Sequence, residues 1–288
     1  MARQPTVAGR AEQLLGSAVV ATAPVAGGDI ATAVKLRLSN GRTAFLKTLT
    51  GAPPHFFERE AAGLRWLAEA STDGGVATPE VLAVDDDVLI LGWVESVRPG
   101  AEAAGAFGRA LAATHRAGAD AFGGPEDGYI GRLPLLNRTL PTWAEFWAER
   151  RIAPYLKALR DKAIVSADDA ATIEAAVARG AEIVPDEPPA RLHGDLWNGN
   201  VLWTSEDRVV VIDPAAYGGH REVDLAMLAL FGLPQLPQVM AAYQEVTPLA
   251  DGWEDRVGFH QLFPLLVHAC LFGGQYGARA ARVAAKYV

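Results

Sequence analysis

The chain has 288 residues, 50% of them hydrophobic and 21% charged, enough to bury a sizeable core as one large domain or two lobes. A net charge of −8 removes the basic footprint of a nucleic-acid binder, and nothing basic enough to hold an anionic membrane is present. The single cysteine, Cys270, excludes an intrachain disulfide or a multi-cysteine metal site, and its apolar neighbours Leu266, Val267, Leu271 and Phe272 point to a buried, inert thiol. No apolar run approaches the roughly 18 residues of a membrane span and no signal-peptide core opens the chain, so a cytoplasmic protein is expected.

In chain order, Gly27-Gly28-Asp29-Ile30 comes before the first recognisable strand. Its backbone N–H groups could fold over phosphates, although a plain turn would read the same way. Val34, Leu36 and Leu38 alternate with Lys35 and Arg37, the pattern of a half-buried strand. Asn40-Gly41 supplies the residues of a type I′ hairpin turn, and 43–49 forms the returning strand with Lys47 inside it. A helix follows over about 55–70, with Phe56, Phe57, Leu64 and Leu67 on its buried face. Glu60 sits four residues from both Phe56 and Leu64, on that same face. A carboxylate there is costly unless a cation meets it, and Lys47 is the natural partner.

Residues 88–91 read as another buried strand, and Gly92-Trp93-Val94-Glu95 as a connector. Beyond about residue 96 the chain turns mostly helical. One helix carries Phe107, Leu111 and His115, the histidine facing the apolar side as a satisfied core residue. Another begins at the capping box Thr142-x-x-Glu145 and carries Trp143, Phe146 and Trp147, which with Tyr155 form a stripe read as core rather than as a sugar-stacking wall. Two short strands, 201–203 and 209–212, come next, and a further helix starts near Asp224. The expected fold class is α+β and bilobal: an N-terminal nucleotide-binding lobe with its connector over 1–95, a C-terminal helical lobe over 96–288 for catalysis and acceptor binding, and a cleft between them.

The chemistry is concentrated in His193-Gly194-Asp195-Leu196-Trp197-Asn198-Gly199-Asn200, followed by an apolar run that ends at Asp213. An Asp, an Asn five residues on, and a second Asp closing the next strand are the groups phosphoryl transfer requires. Asp195 would accept the proton of an attacking hydroxyl, while Asn200 and Asp213 would hold Mg²⁺ against ATP. Lys47, steadied by Glu60, would contact the α- and β-phosphates. Each could be a turn-former or a surface charge by itself, but the combination at kinase spacing favours catalysis. His193 is read as support for the loop.

These residues, with Val-Ile-Asp-Pro-Ala at 211–215 and Gly-His-Arg-Glu-Val-Asp-Leu at 219–225, resemble the fructosamine kinase (ketosamine-3-kinase) family. That family stands among the aminoglycoside-phosphotransferase and choline-kinase relatives of the protein kinases. The likeness runs over nearly the whole chain and includes Phe45-Leu46-Lys47, Gly63-Leu64, Tyr129-Ile130-Gly131 and Leu230-Phe231-Gly232, with Trp197 the most discriminating residue. It implies a protein-kinase-like fold and ATP- and Mg²⁺-dependent phosphorylation of a ketosamine 3-hydroxyl, which destabilises the adduct and releases the amine. It makes Trp93, Val94 and Glu95 the adenine-side connector and assigns Trp197, His220, Arg221 and Glu222 to the acceptor side, with Asp224 bracing the catalytic loop. Two departures stand out. The glycine loop lacks the cysteine some members carry, and Asp127-Gly128 stands where Asp-Asn is common. The alternatives are a kinase of the same fold acting on an aminoglycoside, choline or homoserine, and a non-catalytic pseudokinase. The acceptor is left open between free and protein-bound ketosamines.

Overall fold

The chain before position 92 forms a five-stranded antiparallel sheet, seen in a computed structural model that describes residues 6–26, 31–206 and 208–288. The Gly27-Gly28 loop therefore lies outside the described residues. Helix α1 (Val7–Leu15), capped by the Thr6 hydroxyl, leads into β1 (Val19–Pro24), β2 (Thr32–Leu38) and β3 (Thr43–Thr48). Helix α2 (Phe56–Glu69) then crosses to β4 (Val81–Asp85) and β5 (Val88–Gly92). The strand order is β1-β2-β3-β5-β4. Register places Lys47 opposite Ala33 on one side and Leu89 on the other, in the middle of the sheet.

The β2–β3 turn differs from expectation. Of Asn40 and Gly41 only the glycine has positive φ (83°), whereas type I′ needs both. Instead Gly41 N donates to Leu38 O (3.0 Å), and Arg42 N to Asn40 Oδ1 (3.0 Å), a longer loop with a single left-handed residue.

Helix α2 buries Phe57, Ala61 and Leu64 against Leu89 and Leu91 of β5, while Leu67 packs into the cluster of Val76, Phe107 and Leu111. Each such large side chain contributes about 1.5–3 kcal/mol when fully buried.

From Ala101 onward helices dominate. They are α3 (Ala101–Arg116), α4 (Trp143–Phe146), α5 (Ala153–Asp161), α6 (Ala167–Ala178), α7 (Gly180–Ile183), α8 (Glu222–Phe231), α9 (Leu236–Val246), α10 (Trp253–Phe272) and α11 (Tyr276–Ala284). Short antiparallel pairs punctuate them: β6 (Gly128–Ile130) with β7 (Leu133–Leu135), β8 (Ala190–Leu192) with β11 (Tyr217–Gly219), and β9 (Val201–Trp203) with β10 (Val209–Val211). The N-cap half of the capping box forms, with Glu145 N donating to the Thr142 hydroxyl at 3.2 Å, while that hydroxyl donates to the Glu145 carboxylate at 2.9 Å. A π-helical turn, Trp147–Ile152, joins α4 to α5. Trp143, Phe146, Trp147 and Tyr155 are all buried in the largest core cluster, so the aromatic stripe is core. Cys270 is half-buried rather than buried, and burial still pushes its thiol up, away from reactivity. Among the described residues no helix is long and apolar enough to cross a membrane.

Candidate active site

Three chain segments meet around one cavity of about 1510 Å³ between the sheet and the helical part, lined by Lys47, Glu60, Asp195, Asn200 and Asp213 together. From the sheet side, Lys47 Nζ lies 2.8 Å from both Glu60 carboxylate oxygens and 3.0 Å from Asp213 Oδ1. The partnership expected from spacing is thus present, and it is nearly dry, with the two side chains 10% and 11% exposed. Burial alone would lower the Lys47 ammonium, but Glu60 and Asp213 outweigh it and hold the group protonated well above its ordinary range. Burial drives the Glu60 carboxyl up, opposed by Lys47.

The catalytic segment follows β8. Gly194 takes φ +81°, and a Cβ there would fall 2.1 Å from Ala215 O, so only glycine lets the chain turn this close to the strand opposite. His193 has its pKa lowered by burial. Its Nε2–H donates to Ile212 O (2.9 Å), and its Nδ1 accepts from Asp195 N (3.2 Å), so both ring nitrogens are occupied in holding the loop. Asp224, fully buried at the start of α8, accepts from His193 N (2.8 Å) and Gly194 N (2.9 Å). His115 of α3 reaches the same carboxylate through Nε2 (3.2 Å), and its Nδ1 meets the Tyr243 hydroxyl (2.9 Å). His115 is buried as expected, but its link to the loop was missed because no local spacing ties residue 115 to 224.

Asn200 donates from Nδ2 to Asp195 O (2.8 Å) and Oδ2 (3.3 Å), which leaves its Oδ1 as the ligand atom. Burial first, then the neighbouring Asp213, push the Asp195 carboxyl up to about 7. Asp213 sits at φ +55° ahead of Pro214, a conformation an aspartate tolerates better than most residues, and strain of this kind gathers at functional sites. Its Oδ1 is buried and, despite the nearby lysine, has no aligned hydrogen-bond partner. The Asp213 carboxylate and the free carboxamide oxygen of Asn200 are hard-oxygen donors of the kind that suits Mg²⁺, beside the Asp195 carboxyl.

On the connector, Trp93 and Val94 line the cavity with Phe45, Leu91, Leu202 and Ile212, an apolar slot. Glu95 is outside the lining. It accepts from Trp93 Nε1 (2.8 Å), while Lys35 Nζ rests 3.8 Å from the Trp93 ring centroid. Trp197 lines the other end, 40% exposed, with Phe231 edge-on at 6.1 Å.

The His220-Arg221-Glu222 assignment needs correction, since none of the three lines the cleft. Arg221 makes a bidentate pair with Glu187 (both 2.7 Å), and Glu222 takes Arg256 at 2.6 and 2.9 Å. His220 is buried, and its ring stacks 5.2 Å from His260. These groups face inward because β11 hands straight over to α8, so the motif ties that junction to α10. His220, Glu222 and His260 bring ligand atoms within 4.8 Å of one another. With the carboxylate taken by Arg256 and His220 Nδ1 accepting from Glu222 N (3.3 Å), the set is a charge network and not an ion site.

The fold around the cleft has protein-kinase-like architecture. Macrolide 2′-phosphotransferase type I shares the fold, with a TM-score of 0.62 over 99% of this chain and 98% of that one at 17% identity. The sequence signature of the fructosamine kinase family matches residues 4–288, and the chain belongs to that family. A probable ketoamine kinase of Lactiplantibacillus plantarum is 33% identical over 274 residues, 92% of this chain and 93% of that protein. A crystal structure of a Thermobifida fusca protein provisionally assigned as a fructosamine-3-kinase superposes with a TM-score of 0.92 at 46% identity, covering 98% of this chain and 99% of that one.

Proposed function

We propose that this protein transfers the γ-phosphoryl group of ATP to the 3-hydroxyl of a ketosamine. The observation that carries this reading is the convergence of Asp195, Asn200 and Asp213 on the cavity that also holds the Lys47–Glu60 pair. The acceptor hydroxyl approaches the γ-phosphorus, and Asp195 takes its proton as the new O–P bond forms and ADP leaves. Lys47 stabilises the phosphates, and the slot around Trp93 and Val94 receives the adenine. Asn200 and Asp213 would hold Mg²⁺, which offsets charge on the phosphoryl oxygens when bound. Asp224, through the His193 and Gly194 amides, fixes the direction of Asp195. Trp197, two residues from the base, offers a flat apolar face to the sugar. A phosphate at C3 is a far better leaving group than hydroxide, so the adduct becomes unstable and the amine is released, a deglycation.

A kinase for aminoglycosides or choline would use the same five groups, so the acceptor panel decides. ADP release is measured with ATP, Mg²⁺ and a series of synthetic ketosamines, free and lysine-linked, with kanamycin and choline as controls. Turnover confined to ketosamines supports the proposal. Turnover of kanamycin or choline alone replaces it, and no phosphorylation of any acceptor by a nucleotide-binding protein would establish a pseudokinase.

A further inference from the structure

Behind the C-terminal wall of the cleft lies a buried cation with no carboxylate. Arg151, in the π-helical turn, is 0% exposed, and among the described residues it forms no ion pair with an acid. Buried charges are normally paired. This guanidinium instead lies over the rings of Tyr217 (3.8 Å) and Phe146 (4.5 Å), and donates to Leu136 O and to Asn137 Oδ1, both at 2.6 Å. The neighbouring Arg150 points elsewhere, to Arg138 O and Glu149. An unpaired buried charge costs desolvation that two hydrogen bonds and ring contacts only partly offset, so stability gives a weak reason for an arginine here.

Asn137 shows what the charge does. With Oδ1 taken by Arg151, its Nδ2 is turned to Glu126 O (3.2 Å). Its backbone N donates to Asp127 Oδ1 (2.6 Å), and its carbonyl accepts from Gly124 N (2.8 Å). One buried residue thus pins the segment that precedes β6. Gly124, Glu126, Tyr129 and Asn137 itself line the cleft, as does Tyr217 beneath the guanidinium. The same segment reaches the start of α2. Glu126 pairs with Arg59 (3.1 Å), and the Tyr129 hydroxyl donates to Pro54 O (3.0 Å). Glu60, the partner of Lys47, is on that helix.

We infer that Arg151 and Asn137 are positioning residues for the acceptor: the buried charge fixes the Asn137 amide, and the amide holds the 124–131 wall of the acceptor site. The inference rests on the kinase reading above, with the acceptor bound on the helical side of the cleft.

Asn137→Asp separates this role from a structural one. Aspartate gives Arg151 a better partner but has no N–H for Glu126 O. The acceptor KM should rise about tenfold, the scale of one lost hydrogen bond, with kcat and ATP KM little changed and thermal stability near that of the unaltered protein, since the Glu126 carbonyl lies in an exposed residue that water can reach. Backbone amides of 124–131 should exchange faster with deuterium. Arg151→Lys should raise the acceptor KM in the same way, because an ammonium cannot serve both Leu136 O and Asn137 Oδ1 in a fixed fork. The acceptor is whichever alcohol the unaltered enzyme phosphorylates in the panel above. Wild-type acceptor KM and wild-type exchange in Asn137→Asp would overturn the inference. The exchange measurement needs no substrate, so loss of the ketosamine reading and loss of this one are told apart.

Discussion

Replacing Lys47 with methionine removes the cation that stands between Glu60 and Asp213, leaving the nearly buried Glu60 carboxylate without its partner and facing the half-exposed Asp213. Breaking a buried pair from one side costs about 3–5 kcal/mol, so the melting temperature should drop clearly. Loss of the phosphate contact should also lower kcat/KM for ATP by about 10²–10³-fold or more. A near-normal value in steady-state kinetics would mean that another cation holds the phosphates. Asp195→Asn keeps the shape but cannot take a proton, so kcat should fall by about 10²–10⁴-fold while nucleotide affinity by calorimetry is largely spared. His220 gives a separate signal in pH. Burial, then the neighbouring His260, lower its pKa to about 3, below the ordinary 6.5. The unfolded chain therefore binds a proton that the folded one refuses, and stability is lost as pH falls from about 6.5 toward 3, by up to about 1.4 kcal/mol per unit. His220→Asn lacks this loss. Its melting temperature should approach that of the unaltered protein between pH 7 and pH 5, and a constant gap would show that His220 is charged in the folded state.

At the scale of elements, the junction of β11 with α8 carries Asp224 to the amides of His193 and Gly194. Asp224→Ala strands both buried N–H groups at about 1–3 kcal/mol each and frees the catalytic loop, so stability and kcat should fall together. Retained kcat at lower stability would make Asp224 a folding residue only. Helix α2 meets the catalytic segment at Gly63, where a Cβ would lie 3.2 Å from Ala216 Cβ and Pro214 Cγ. β2, β3 and the Glu60 face of α2 were legible in the sequence because each sits half-buried and shows its period, and β5 because it is a short, continuously apolar run. β1 was not, since it is an edge strand with an almost wholly exposed pattern, and β4 is evenly half-buried with no alternation. That Lys47, Glu60, Asp195, Asn200 and Asp213 converge on one cleft was readable from their spacing, because a phosphoryl-transfer site needs such groups together. The inward turn of His220, Arg221 and Glu222 was not, because their partners Glu187, Arg256 and His260 come from distant segments.

Across the whole molecule, the cleft is lined by Glu60, Asp195 and Asp213 with the one ammonium of Lys47, and although burial raises the Glu60 and Asp195 carboxyls its floor leans negative. A nucleotide brings more of the same sign and must span from the Trp93 slot on the sheet side to Asp213 on the helical side. ATP without a divalent cation should therefore stabilise the protein only weakly. Mg²⁺ with ATP should bind both faces and resist their separation, adding about 2.7 kcal/mol when the ligand is a hundredfold above its dissociation constant. Thermal unfolding would read this as a shift of several degrees that EDTA returns to the level of ATP alone. In Asp213→Asn the Mg²⁺-dependent part of the shift should shrink while the ATP-only part is kept or grows, since a like charge has gone. Equal shifts with and without the cation in the unaltered protein would show that Asn200 and Asp213 hold no metal.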